Sequence, residues 1–164
     1  MLAVPPRTRL LTVATIVCCL GTACSTGRIS MTEVVLSKDS VVQFLTRFEE
    51  IAEKENFDLL QDMIQDNAFF RFNDGDFSGK QAIRAVFEKT WKGSANVKKE
   101  RFYLTDIQVL TVDSKSATAT YTYNWEGSMD GKLFHIQGRG TRVLVVQNGQ
   151  VQIVHEHLSR FPKQ

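Results

Sequence analysis

Gly138-Arg139-Gly140-Thr141-Arg142-Val143-Leu144-Val145-Val146-Gln147-Asn148-Gly149-Gln150-Val151-Gln152-Ile153-Val154-His155-Glu156-His157-Leu158-Ser159 sets two β-branched runs around an Asn-Gly dipeptide. Asn and Gly both tolerate the positive φ of a two-residue hairpin turn, and apolar positions at spacing two mark strands on either side. A tight turn fixes the register, so pairing can be counted outward from it. Gln147 falls opposite Gln150, Leu144 opposite Ile153, Arg142 opposite His155, and Gly140 opposite His157. The preceding hairpin is counted in the same way from Asp130-Gly131. It sets Met129 against Lys132, Trp125 against Ile136, Tyr123 against Gly138, Tyr121 against Gly140, and Ala119 against Arg142.

Facing residues share one side of a sheet. One face is therefore expected to carry Tyr121, Tyr123, Trp125, Arg142, His155 and His157, with Ala117, Leu144 and Ile153 toward its other end. The opposite face is expected to carry Thr118, Thr120, Thr122, Asn124, Arg139, Thr141 and Glu156. Apolar walls with a few fixed polar heads are what an amphipathic pocket needs, and the first face has that composition. The threonine-rich face suits solvent or a dimer interface. A β-bulge in either hairpin would exchange the two faces beyond it.

Upstream, residues 100–112 and 116–127 complete an antiparallel meander with 133–146 and 151–160. Ser37 or Asp39 can cap a helix reaching about residue 54, with Val41, Phe44, Leu45, Phe48 and Ala52 at helical spacing. A shorter helix is expected over 57–66, then a strand over 68–72 stopped by Asn73-Asp74-Gly75-Asp76. Ser78-Gly79-Lys80-Gln81 has the spacing of a capping box before a third helix, which Gly93 ends. The order, helices first and meander last, predicts an α+β domain with three N-terminal helices packed on a curved, mostly antiparallel sheet. Trp91 and the phenylalanines Phe44, Phe48 and Phe87 are expected in its core.

The chain has 164 residues, room for one domain after a leader. Residues 1–23 have a basic start (Arg7, Arg9), an apolar stretch over 10–20 too short to span a bilayer, and the small residues Gly21-Thr22-Ala23 before Cys24. That pattern resembles the lipobox of bacterial lipoproteins, which implies lipidation at Cys24, a tether over 24–36, and a folded domain over 37–161. The expected location is the cell envelope or periplasm, with membrane contact only through that anchor. All three cysteines (Cys18, Cys19, Cys24) lie before the domain, so no disulfide or thiolate metal site is expected in it. Lys and Arg number 20 against 18 Asp and Glu, and without Arg7 and Arg9 the balance is even. An electroneutral domain has no electrostatic footprint for nucleic acid.

The element order, with Thr141-Arg142-Val143 and Ile153-Val154-His155-Glu156-His157 near its end, resembles the NTF2-like superfamily. Within it the chain is similar to SnoaL-like bacterial domains and to the association domain of calcium/calmodulin-dependent protein kinase II, over roughly residues 38–160. The resemblance implies a cone-shaped sheet wrapped round a long helix, a pocket between them, and a homodimer. It also implies that Arg142 lines the pocket; a second pocket arginine of the kinase domain falls at Leu158 here. The superfamily includes enzymes, transport adaptors and oligomerisation modules, so the fold alone assigns no reaction.

Three functions follow as expectations. The first is binding of a small amphipathic or anionic ligand, with Arg142 holding its polar end, Tyr121, Tyr123 and Trp125 its body, and His155 and His157 setting pH sensitivity. On that reading, removing Arg142 weakens binding and leaves the thermal midpoint almost unchanged. The second is a cofactor-free isomerase or dehydratase with His155 or His157 as general base, since histidine titrates near neutral pH. The third is an envelope interaction module. No cofactor and no metal is expected, because His135 falls on the other face from His155 and His157 in this register. A buried Arg142 needs an anion to answer its charge; Glu126 and Glu156 could supply one only if a bulge reorients them, and otherwise a carboxylate-bearing ligand would.

Overall fold

The structure, a computed structural model, describes residues 34–93 and 95–162. The expected leader, the lipidation site Cys24 and the tether up to residue 33 lie outside the described residues. Leu36, at the end of that tether, is already buried in the core.

Helix α1 (Lys38–Ala52) begins at Ser37 through a reciprocal cap: the Ser40 amide donates to Ser37 Oγ and the Ser37 amide to Ser40 Oγ. Its Val41, Leu45, Phe48 and Ala52 fall on one stripe and are buried. The second helix is much shorter than the expected 57–66. Helix α2 (Phe57–Leu60) passes through one 3₁₀ turn (Gln61–Met63) into strand β1 (Ile64–Phe72). Pairing decides this, because Ile64 sits in register with Ile153 of the last strand, and the ladder outweighs helical spacing. The turn at Asn73-Asp74 then returns the chain as β2 (Gly75–Ser78), an edge strand not expected from the sequence.

The expected capping box before α3 (Lys80–Lys92) does not form. Ser78 is held in β2 opposite Phe69, and Gly79 is the residue that leads into the helix. Gly79 takes φ 83° and donates its amide to Ala68 O at 2.8 Å, which ties the helix start to β1. Gly93 ends α3 as the sequence predicts.

The remaining strands are β3 (Val97–Val112), β4 (Ser116–Met129), β5 (Lys132–Gln147) and β6 (Gln150–Arg160). The six-stranded sheet has the order β2-β1-β6-β5-β4-β3, antiparallel except for β1 beside β6. The helices cover its inner face, and the core lies between, with Phe87 making edge contacts to Phe57, Phe70, Phe72 and Trp91. Strand β3 is a sheet edge, and α1 answers part of it. Glu49 and Glu53 accept from the amides of Leu104 (3.0 Å) and Phe102 (3.4 Å). Four residues of helix advance about 6 Å and two of strand about 6.6 Å, so carboxylates spaced four apart meet amides spaced two apart. An edge covered this way offers fewer free groups to another chain.

Every pairing counted from the Asp130-Gly131 turn is found. The Asn148-Gly149 hairpin follows its count only as far as Leu144 opposite Ile153. Val154 is then an extra residue in β6, and the register shifts by one. Val143 faces His155, Arg142 faces Glu156, Thr141 faces His157, and Gly140 faces Leu158. The expected pairs Arg142–His155 and Gly140–His157 are thereby corrected. His155 and His157 lie on the outer face and Glu156 on the inner one, because one added residue reverses the alternation.

Candidate functional site

The concave face of the sheet and helices α1 and α3 enclose a cavity of about 620 Å³. Phe48 and Ala52 of α1, Phe87 and Trp91 of α3, and Phe102, Tyr123, Trp125, Ile136 and Leu158 of the sheet make its apolar wall. Arg142 and Glu156 are the polar groups of its depths.

These two residues, adjacent across β5 and β6, form an ion pair with Arg142 1% and Glu156 2% exposed. Arg142 Nη2 donates to Glu156 Oε1, and the Tyr121 hydroxyl donates to the same oxygen. The guanidinium lies 3.9 Å from the Phe48 ring centre and 5.3 Å from that of Tyr121, so both rings present their faces to the charge. Tyr121 can lie there because its opposite residue is glycine. A Cβ on Gly140 would stand 2.1 Å from Tyr121 Cε2, and one on Gly138 would stand 2.4 Å from both Tyr123 Cζ and Ser159 O.

Burial raises the Tyr121 hydroxyl well above its ordinary value, so it remains a neutral donor. Burial alone would weaken the Arg142 charge. Attraction to Glu156 and to the Tyr121 oxygen overcomes this and holds the guanidinium above its ordinary value. The pair is balanced in charge yet incomplete in hydrogen bonds. Arg142 Nε and Nη1 and Glu156 Oε2 are buried with no partner among the described residues. An unmade bond costs more inside a protein than an extra one gains, so these three atoms form an unfilled donor–acceptor set.

The structure brings together Arg142, Tyr121, Tyr123 and Trp125 of the expected pocket residues. It does not bring His155 or His157 to them. His155 donates Nδ1–H to Phe69 O at 2.7 Å and stacks on the Phe69 ring at 5.7 Å. His157 is exposed beside Arg71 and Asp76. His135 is also on the outer face, where its Nε2 and the amide of Gln137 reach the buried Asn124 side-chain oxygen. Glu156 and Lys99 are among the cavity groups the sequence count did not place there. The signal for Glu156 was chemical, an arginine in need of a carboxylate; nothing local marks the bulge.

A sequence profile of the SnoaL-like domain matches residues 41–164. The chain belongs to the SnoaL-like family. Its fold is that of NTF2-like proteins. A nuclear transport factor 2 (NTF2-like) superfamily protein from Salmonella enterica superposes with a TM-score of 0.66 at 21% identity, over 76% of this chain and 91% of that one. A Xanthomonas campestris protein named for the association domain of calcium/calmodulin-dependent protein kinase II gives 0.65 at 18% identity, over 76% and 88%. A Novosphingobium aromaticivorans protein named for aromatic ring hydroxylation gives 0.64 at 16%, over 75% and 87%. No curated protein sequence matches the chain significantly. Likeness at these identities establishes the shared fold, and the chemistry of this SnoaL-like domain rests on its own side chains.

Proposed function

We propose that this SnoaL-like domain binds a small amphipathic molecule in its cone, apolar body against the aromatic wall and polar end against Arg142 and Glu156. One observation carries the reading: Arg142 Nε and Nη1 and Glu156 Oε2 are buried without partners among the described residues, at the floor of a cavity whose inner wall is largely aromatic. Because Glu156 already answers the arginine, the floor calls for a neutral group that both accepts and donates, such as an amide, an acid in its protonated form, or a hydroxyketone. Reaching those atoms requires Phe48 to shift from the guanidinium it covers. Tyr121, Tyr123 and Trp125 serve as wall and support; His155 and His157 have no part in it.

We place the protein in the cell envelope, exported and lipidated at Cys24, as a homodimer. The leader pattern of residues 1–24 supports the first two, and the family resemblance supports the third. Native mass spectrometry of the protein from its own host tests the binding reading. The expected result is a retained small mass that disappears in Thr90→Trp, which narrows the cavity from the exposed side of α3. An empty protein that also takes up nothing from a lipid-soluble extract of the host would refute it.

A second reading, a cofactor-free isomerase or dehydratase, is favoured by Glu156 Oε2. A buried carboxylate oxygen without a partner among the described residues is placed for proton abstraction from a bound carbonyl compound. Its test is turnover of a bound compound, once identified, that is abolished in Glu156→Gln under conditions where circular dichroism shows the variant folded; turnover retained in the folded variant would refute it.

A further inference from the structure

One of the three register shifts between β3 and β4 mirrors the bulge at Val154. Lys99 faces Gly127 and Arg101 faces Glu126, so Glu100 is the extra residue between them. Phe102 lies opposite Trp125 on the inner face, and simple alternation would turn Lys99 outward. The inserted residue turns it inward instead. Lys99 Nζ accordingly lies 4.7 Å from the centre of the Trp125 ring and is part of the cavity wall. The arrangement is close-packed: a Cβ on the buried Gly127 would stand 2.3 Å from Lys98 O.

Lys99 Nζ is shielded from solvent and has no hydrogen-bond partner among the described residues. The acids nearby do not fill that role. Glu53 accepts from the Phe102 amide, and Glu100 lies 3.5 Å from Lys98 Nζ. Burial pushes the Lys99 ammonium below its ordinary value, and the field of Glu55 opposes this only in part. The indole face compensates some of the lost hydration, but it supplies no acceptor. The floor pair is neutral in sum and the other charged residues of the lining carry both signs, so what sets Lys99 apart is that its Nζ is a buried cation outside any ion pair among the described residues.

We propose that the ligand is an organic anion, whose carboxylate or sulfonate head is received by Lys99 at the β3 bulge while its apolar body enters between Phe87 and Trp125. The proposal rests on the small-molecule reading of the cavity and adds the charge of the ligand and the residue that selects it. A head at Lys99 gives the ammonium the acceptor it lacks, and the body then reaches toward Arg142 and Glu156 without bringing a second charge to them.

Two fluorescent probes of one aromatic frame test this on the purified protein. The first, 1-anilinonaphthalene-8-sulfonate, carries an anionic head; the second, N-phenyl-1-naphthylamine, lacks it. The wild type is expected to bind both, the sulfonate more tightly. Lys99→Met should weaken the sulfonate about tenfold or more, the factor a charge-assisted contact supplies, and leave the neutral probe unchanged. Lys99→Arg should keep the preference. Binding of both probes with no change, or an equal change, in Lys99→Met would overturn the anion proposal and leave the pocket reading standing. Failure of the folded wild type to bind either probe would overturn both.

Discussion

Arg142→Met is the substitution whose outcome separates the structure most sharply from a simple sequence count. On the sequence reading Arg142 holds the polar end of a ligand, and its removal leaves the thermal midpoint almost unchanged. In the structure it is buried against Phe48 and paired with Glu156. Removing the guanidinium leaves the Glu156 carboxylate in an apolar site with only the Tyr121 hydroxyl to answer it. Breaking one side of a buried ion pair costs about 3–5 kcal/mol. For a domain of this size each kcal/mol moves the thermal midpoint by roughly 3–5 °C, so a fall of about 10–25 °C is expected. Glu156→Gln should cost a similar amount, since it strands the arginine charge. The variant with Arg142→Met, Glu156→Leu and Tyr121→Phe together strands nothing, and should recover to within about 2 kcal/mol of the wild type. Urea unfolding followed by far-ultraviolet circular dichroism measures all four, with equal slopes required for the comparison. Single variants within about 1 kcal/mol of wild type would refute the burial argument. A triple variant no better than the singles would show that shape, not stranded charge, governs the site.

Gly140→Ala should lose about 1–3 kcal/mol in the same assay, because its methyl can enter only by displacing the Tyr121 ring. Lys99 and Glu49 should shape the pH dependence in opposite senses. Burial lowers Lys99, so its contribution is complete above the unfolded value of about 10.4 and is lost as pH falls through the lowered folded value. Lys99→Met is therefore expected to be more stable than wild type at neutral pH and to lack the alkaline rise in midpoint. Burial is the largest influence on Glu49 and raises it, against the Leu104 amide that lowers it. Its contribution is complete below the unfolded value of about 4.3 and is lost as pH rises through the raised one, a fall that Glu49→Gln should flatten. His155→Ala and His157→Ala should each leave probe binding within about twofold of wild type. The first is expected to lose about 1 kcal/mol with its bond to Phe69, and the second almost nothing. Loss of binding in either would return the histidines to the cavity.

The sequence made the sheet legible because turn chemistry is local. Asp130-Gly131 and Asn148-Gly149 have positive φ at both positions, and pairing propagates from them residue by residue. It propagates only while no residue is inserted. Val154 looks like any other β-branched residue of its run, and what distinguishes it is that β1 pairs alongside, with its own shift between Ile64 and Phe69. That contact is remote in sequence, so the histidines were assigned to the wrong face while the arginine was assigned to the right one. The short α2 failed for a related reason: Ile64 has a strand partner 89 residues away, which no helical spacing reveals. The cavity aromatics were legible as core because the same faces that pack also line the space.

The two bulges bear on why the polar groups are there at all. A buried ion pair is weak evidence of stability, since apolar residues of similar volume hold a fold as well or better. The Arg142–Glu156 pair covers its own charge but leaves three polar atoms without partners among the described residues, and Lys99 leaves a fourth. A fold selected for stability alone gains nothing from inserting Val154 and Glu100 to aim such groups inward, where each unmade bond is a standing cost. Both bulges point their residues into one cavity, and the costs fall away together when a molecule with the matching groups occupies it. Unfilled hydrogen bonds in a shaped cavity are what the proposed ligand would answer, and the bulges at Val154 and Glu100, two of the sheet's several register shifts, are what turn Glu156 and Lys99 toward it.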